Sequence, residues 1–233
     1  MDAFATGSPM WWQGLLPHPA WIQGCLPTRN ALCFSGQYRT GSLTLPSVKE
    51  FVLPYMGQVD IFIVTDDTND IRAQAECTTQ RKLDSSSPEA KPPFLKIENF
   101  YLHARHAADC VDLVDAYAQA SNISYKFIVK SRFDLVWKCP FPDLNRLPDS
   151  HVYGPNYQMY GGQNDKMLII PYRWRGLWRS FMLSMTDHST RLDRDPVSAE
   201  QYLAAHIYRE RIPRKPIELF VRIMLSSGNL GVY

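Results

Sequence analysis

The sequence predicts a single α/β domain with a mostly parallel central sheet flanked by helices. Three observations carry this. Short apolar runs recur at residues 31–34, 59–65, 125–129 and 166–170. Segments of helical periodicity lie between them, the longest over about residues 99–120. Polar clusters follow the runs, as Asp66-Asp67-Thr68-Asn69-Asp70 follows the second. Strands alternating with helices need crossover connections, and crossovers make parallel neighbours.

The elements follow in order. Ala31-Leu32-Cys33-Phe34 is apolar and leads into Ser35-Gly36-Gln37-Tyr38-Arg39, a strand and then a glycine-bearing loop. A helix is expected from about Ser47, with Val48, Phe51 and Val52 on one face. Residues 59–65 are rich in β-branched residues and bounded by a polar cluster, as in a buried parallel strand. Residues 78–93, rich in serine, proline and charge, read as a loop, and Leu95-Lys96-Ile97 as a short strand. Cys110, Val111, Leu113, Val114, Tyr117 and Ala118 form the apolar stripe of the long helix. Strands are expected at 125–129, 151–154 and 166–170, and helices at 175–185 and 199–208.

Composition bounds the function. The chain has 233 residues, 45% hydrophobic, which suffices for a sizeable core. A net charge of +2 argues against a general nucleic-acid binder. The 5 cysteines are scattered, and buried free thiols are their simplest reading, with one or two disulfides left open. Residues 1–30 hold Trp11, Trp12 and Trp21 and read as an irregular Trp/Pro-rich arm. Prolines, glycines and glutamines interrupt every window there, so no intact membrane span or secretory signal is expected. As read, the chain is cytoplasmic, with the endoplasmic reticulum or Golgi open if the amino terminus is incomplete. Residues 209–233 read as a basic, solvated segment that leaves membrane association possible.

Several catalytic signatures are absent: GxGxxG, the P-loop, HExxH and GxSxG. His103 and His106 share a helix face, which is a weak metal pattern. The informative stretch is YKFIVKSRFDLVW at 125–137. It places Ser131, Arg132 and Asp134 beyond the carboxyl end of a strand, where open α/β sheets bind ligands. A carboxylate there suits a divalent cation, and an arginine beside it suits phosphate. An Arg–Asp pair closing the strand is the structural alternative.

In the order of these parts, residues 31–208 resemble nucleotide-sugar-dependent glycosyltransferases of the GT-A type. These have one Rossmann-like domain and a D-x-D motif after a central strand. Arg132-Phe133-Asp134 is similar to the R-x-D variant of that motif. YGGQNDKMLIIPYRW at 160–174 and Ser198-Ala199-Glu200-Gln201 resemble later elements of glycogenin-like members.

The resemblance implies a set of roles. Asp134 would hold Mn²⁺ or Mg²⁺, with Arg132 neutralising diphosphate charge. Ser35, Gly36, Tyr38 and Arg39 would meet the nucleotide, with Tyr38 stacking on the base. Asn164 would face the sugar. Asp165, and after it Glu200, would act as base in an inverting reaction. The donor would be a UDP- or GDP-sugar and the acceptor a hydroxyl of a glycan, protein or lipid. Arg132 stands in place of the first aspartate, which leaves one carboxylate for the metal. Two alternatives stand beside this: a sugar nucleotidyltransferase, and a degenerate domain that binds glycans or partners without turnover.

Overall fold

A computed structural model describes residues 29–38, 40–65, 79–82, 98–157, 162–186, 198–219, 221–225, 227 and 230, with backbone alone at 79–82, 98–100 and 186. The strands are β1 (Arg29–Ser35), β2 (Gln58–Thr65), β3 (Thr79–Lys82), β4 (Phe127–Ser131), β5 (Leu135–Trp137), β6 (Val152–Pro155), β7 (Met167–Pro171), β8 (Arg214–Ile217) and β9 (Val221–Ile223). The α-helices are α1 (Gly41–Phe51), α2 (Glu98–Ser121), α3 (Leu177–Thr186) and α4 (Ala199–Arg209).

Seven strands form one sheet in the order β3-β2-β1-β4-β7-β6-β8, and β5 pairs with β9 in a separate ribbon. The 3-2-1-4 half is the arrangement of a doubly wound fold. All its pairings are parallel. β7 runs antiparallel to both β4 and β6, so the sheet is mixed but mostly parallel. The expected α/β architecture is therefore present.

Alternation along the strands divides the core into two layers. Ala31, Cys33, Phe62, Val64, Ile128, Leu168 and Ile170 face α2, α3 and α4. Leu32, Phe34, Ile63, Phe127, Val129 and Ile169 face α1 and the β5–β9 ribbon. Ala104, Ala107 and Ala108 are fully buried on α2. Their small side chains let this long helix lie close to β1 and β2.

Several expectations are corrected. α1 begins at Gly41, six residues before the expected start. Pro46 sits inside the helix, where Thr44 and Ser47 hydroxyls bond back to the carbonyls of Gly41 and Thr44. The 78–93 segment, expected as a loop, contains β3, parallel to β2. The boundary expected after residue 208 is not one. β8 extends the main sheet beside β6, and β9 pairs with β5, so the basic segment is part of the fold. Cys33 and Cys110 form a disulfide between β1 and α2, so free thiols do not describe both. The arm expected over 1–30 is two residues too long, because Arg29 and Asn30 open β1 in register with Gln58 and Val59; its residues 1–28 lie outside the described residues, as do 95–97 and the Asp66–Asp70 cluster. Among the described residues, no helix is long and apolar enough to cross a membrane.

Candidate functional site

The carboxyl ends of β1 and β4 lie side by side, with Phe34 in register with Ser131. Because β7 is antiparallel, its first residue, Met167, pairs with Ser131. Ser35-Gly36, Arg132-Phe133-Asp134 and the Asn164-Asp165-Lys166 turn thus reach one rim of the sheet. This is the position where ligands bind in open α/β sheets.

The local structure of Arg132-Phe133-Asp134 follows from the middle residue. Phe133 is buried between Phe34, stacked at 5.2 Å, and Tyr38, edge-on at 5.2 Å. Its carbonyl accepts from the Thr44 hydroxyl of α1. With Phe133 pinned inward, its two neighbours meet each other. Arg132 forks onto Asp134, with Nε donating to Oδ1 at 2.8 Å and Nη2 donating to Oδ2. The Asp134 carbonyl accepts from Met224, which anchors the turn to the segment after β9.

A second cluster adjoins it. Lys166 Nζ lies 3.6 Å from Asp165 Oδ1 and 3.3 Å from Glu200 Oε1. Glu200 sits in the first turn of α4, which Ser198 caps by accepting from Gln201 N–H. Gln163 N–H donates to the Glu200 carbonyl at 2.7 Å. Gly162 is the close-approach point: a Cβ there would fall 2.0 Å from the Glu200 carbonyl group.

Lys130, the residue before Ser131, is 2% exposed. Its Nζ donates to the Asp165 carbonyl at 2.5 Å and lies 5.3 Å from the Trp178 ring centre. Burial, partly offset by Asp165, pushes its ammonium down to about 8. Burial also pushes His103 of α2 down to about 4, with the Lys130 and Arg132 cations adding to it. For Asp165, burial works upward, but Lys130, Lys166 and Arg132 outweigh it and hold the carboxyl below its usual range. Arg132, Asp134, Asp165, Lys166, Lys130 and His103 therefore share one field, and Glu200 joins through Lys166.

The predicted residues fare differently. Arg132, Asp134, Asp165 and Glu200 come to the same rim. Gly36 stands in the left-handed region at φ 117°, with open space where a Cβ would project. Ser35 ends β1 but is 3% exposed. Tyr38 is a correction: its ring is buried against Phe133 and under Gly41, so it presents no face to a base. Asn164 is another, being 0% exposed. Its Nδ2 donates to the Tyr157 carbonyl and its Oδ1 accepts from Lys166 N–H, an Asx turn that shapes the loop. Arg39 lies outside the described residues.

Asp134 has both oxygens on a guanidinium, and no group of three metal-ligating side chains occurs among the described residues. This donor set does not by itself make a divalent-cation site. Trp137 and Trp178 are buried in the core.

Sequence reasoning missed Lys130 and Lys166, and took His103 only as part of a weak metal pattern. The signal for Lys130 was present, since it is the one charge between Phe127 and Ser131 in an otherwise apolar strand. No family model matches the chain, and no curated protein matches it.

Proposed function

We propose that this protein is a GT-A type glycosyltransferase that transfers a sugar from a nucleotide-diphospho-sugar to a hydroxyl acceptor. The observation that carries the reading is the pairing of Arg132 and Asp134 across a buried Phe133, on the rim that also holds Asp165, Lys166 and Glu200. Three cations and three carboxylates there suit a substrate with an anionic leaving group and a hydroxyl nucleophile.

Cleaving the bond from sugar to diphosphate develops negative charge on the leaving group. A fixed guanidinium favours that charge more in the transition state than in the ground state. Arg132 fills this role, held in orientation by Asp134. Ser35 and Gly36 bring backbone to the same rim, where a glycine lets a ligand approach closely.

In an inverting reaction a carboxylate takes the acceptor proton. Asp165 was the first expectation. Its carboxyl, held low by three cations, is a weak base, so Glu200 takes precedence and Asp165 balances Lys130 and Lys166. Arg132 engages both oxygens of Asp134, and no step here depends on a divalent cation.

The test is binding and hydrolysis of UDP- and GDP-sugars, with and without Mn²⁺ or Mg²⁺. Turnover lost in Arg132→Ala and Glu200→Gln supports the reading. Failure to bind any nucleotide sugar sinks it. A second reading, binding without turnover, is favoured by the full engagement of Asp134 with Arg132. Tight nucleotide-sugar binding with no transfer to any acceptor would select it.

A further inference from the structure

We propose that Asn122 carries an N-linked glycan, on a chain that matures in an oxidising compartment. Asn122-Ile123-Ser124 is the only N-x-S/T triplet in the sequence. It lies just beyond the carboxyl end of α2, where Asn122 takes the left-handed conformation at φ 51°. Ile123 N–H bonds back to the Ala118 carbonyl at 3.0 Å, and the Ile123 side chain packs on the helical side of the core. With the middle residue anchored inward, Asn122 and Ser124 are both exposed. An acceptor triplet must present both of these residues to the transferring enzyme.

The Cys33–Cys110 disulfide is an independent observation pointing to the same compartment. It joins a central strand to α2 across 77 residues. Structural disulfides form and persist in the oxidising lumen of the secretory pathway and are rare in the cytosol. That lumen is where asparagine-linked glycans are added.

The place in the fold is compatible with a bulky group. Asn122 lies before the start of β4, whereas the candidate site lies beyond its end. Five residues of strand separate the two rims, roughly 15 Å. A glycan on Asn122 leaves the rim of Arg132 and Glu200 clear.

The two covalent steps balance as follows. The Asn122 amide nitrogen bonds to the anomeric carbon of a polyisoprenyl-diphosphate-linked oligosaccharide. The bond from sugar to diphosphate oxygen breaks, the lipid diphosphate leaves, and the amide gives up one proton. The Cys33 and Cys110 thiols lose two protons and two electrons, and an oxidising protein disulfide accepts them and becomes a dithiol.

The experiment expresses the full chain through the secretory pathway of a eukaryotic cell. Intact mass is read before and after peptide N-glycosidase, and thiols are alkylated before any reduction. The expected result is a mass increment removed by the glycosidase, with aspartate left at position 122, and a linked Cys33–Cys110 peptide pair. Asn122→Gln and Ser124→Ala each abolish the increment. Ser124→Ala keeps the asparagine in its left-handed position, so its loss of glycan is not a folding effect. Secreted chain with an unmodified Asn122 peptide overturns the proposal, as does recovery of Cys33 and Cys110 as alkylated free thiols.

Discussion

Lys130 Nζ donates to the backbone carbonyl of Asp165 at 2.5 Å, from a lysine that is almost wholly buried. A strand residue of β4 thereby fixes the turn that enters β7, and that turn carries Asp165 and Lys166 to the rim. Burial pushes Lys130 down to about 8 from 10.5. Between those values the unfolded chain holds a proton that the folded chain has released. Stability therefore rises with pH across about 8 to 10.5, by about 3 kcal/mol. Urea midpoints measured across this window are expected to climb in the unaltered protein. In Lys130→Met the climb is smaller.

The acid side depends on another buried contact. Arg209 Nη2 donates to His206 Nδ1 at 2.8 Å, which leaves Nε2 as the protonated nitrogen, 2.9 Å from Ser180 Oγ. The Ser180 hydroxyl in turn donates to the Leu177 carbonyl at 3.0 Å. A neutral His206 thus ties α4 to α3. Burial, with Arg209, pushes it down to about 4. Below 6.5 the unfolded chain gains a proton that the folded chain refuses, so stability falls as pH drops from 6.5 toward 4. His103 adds to the same loss. Thermal midpoints over this range are expected to fall less in His206→Gln.

Arg132→Ala is expected to lower turnover of a nucleotide-sugar donor by roughly 10²-fold, the usual cost of losing one fixed charge at a developing anion. Arg132→Lys recovers part of it, because lysine keeps the charge but not the fork. Steady-state kinetics check both, with the loss expected in kcat more than in KM. An equal loss in Asp134→Asn would support the view that Asp134 acts by holding Arg132.

Gly162 packs against the first turn of α4 with no room for a Cβ. Gly162→Ala must push the turn of Asn164 and Asp165 away from Glu200. The expected cost is about 1–3 kcal/mol of stability, read as a lower melting temperature. Activity falls further than stability accounts for, because Lys166 would lose its geometry between Asp165 and Glu200. A full-activity variant would show that the contact between turn and helix does not govern catalysis.

Breaking the Cys33–Cys110 link is expected to cost about 2–4 kcal/mol, as for other long loops closed by a disulfide. Cys33→Ala with Cys110→Ala, compared with the unaltered chain by urea denaturation, measures it. The partners are both fully buried in the layer between β1 and α2, so alanine there adds cavity cost to the lost cross-link.

The sequence by itself determined the parts whose signal is local. Mostly apolar runs marked β1, β2, β4 and β7, because such runs are what a strand buried on both faces requires. A stripe at helical spacing marked α2 to within a residue. The Arg132-Phe133-Asp134 motif was also legible, since a buried residue between two charges is a local pattern.

Tertiary structure alone decided the rest, because an apolar run carries no direction and names no partner. Met167-Leu168-Ile169-Ile170-Pro171 reads the same in either sense, yet running antiparallel to β4 is what brings Asp165 beside the end of β4. Nothing in Arg214-Lys215-Pro216-Ile217 signals a sheet strand; β6 supplies the ladder that makes it one. Tyr38 and Asn164 were polar residues in loops by sequence, and packing turned both inward. Lys130 meets Asp165 across 35 residues and Cys33 meets Cys110 across 77. Contacts at that separation arise only when the chain closes its sheet, and they decide which charges at the rim act on one another.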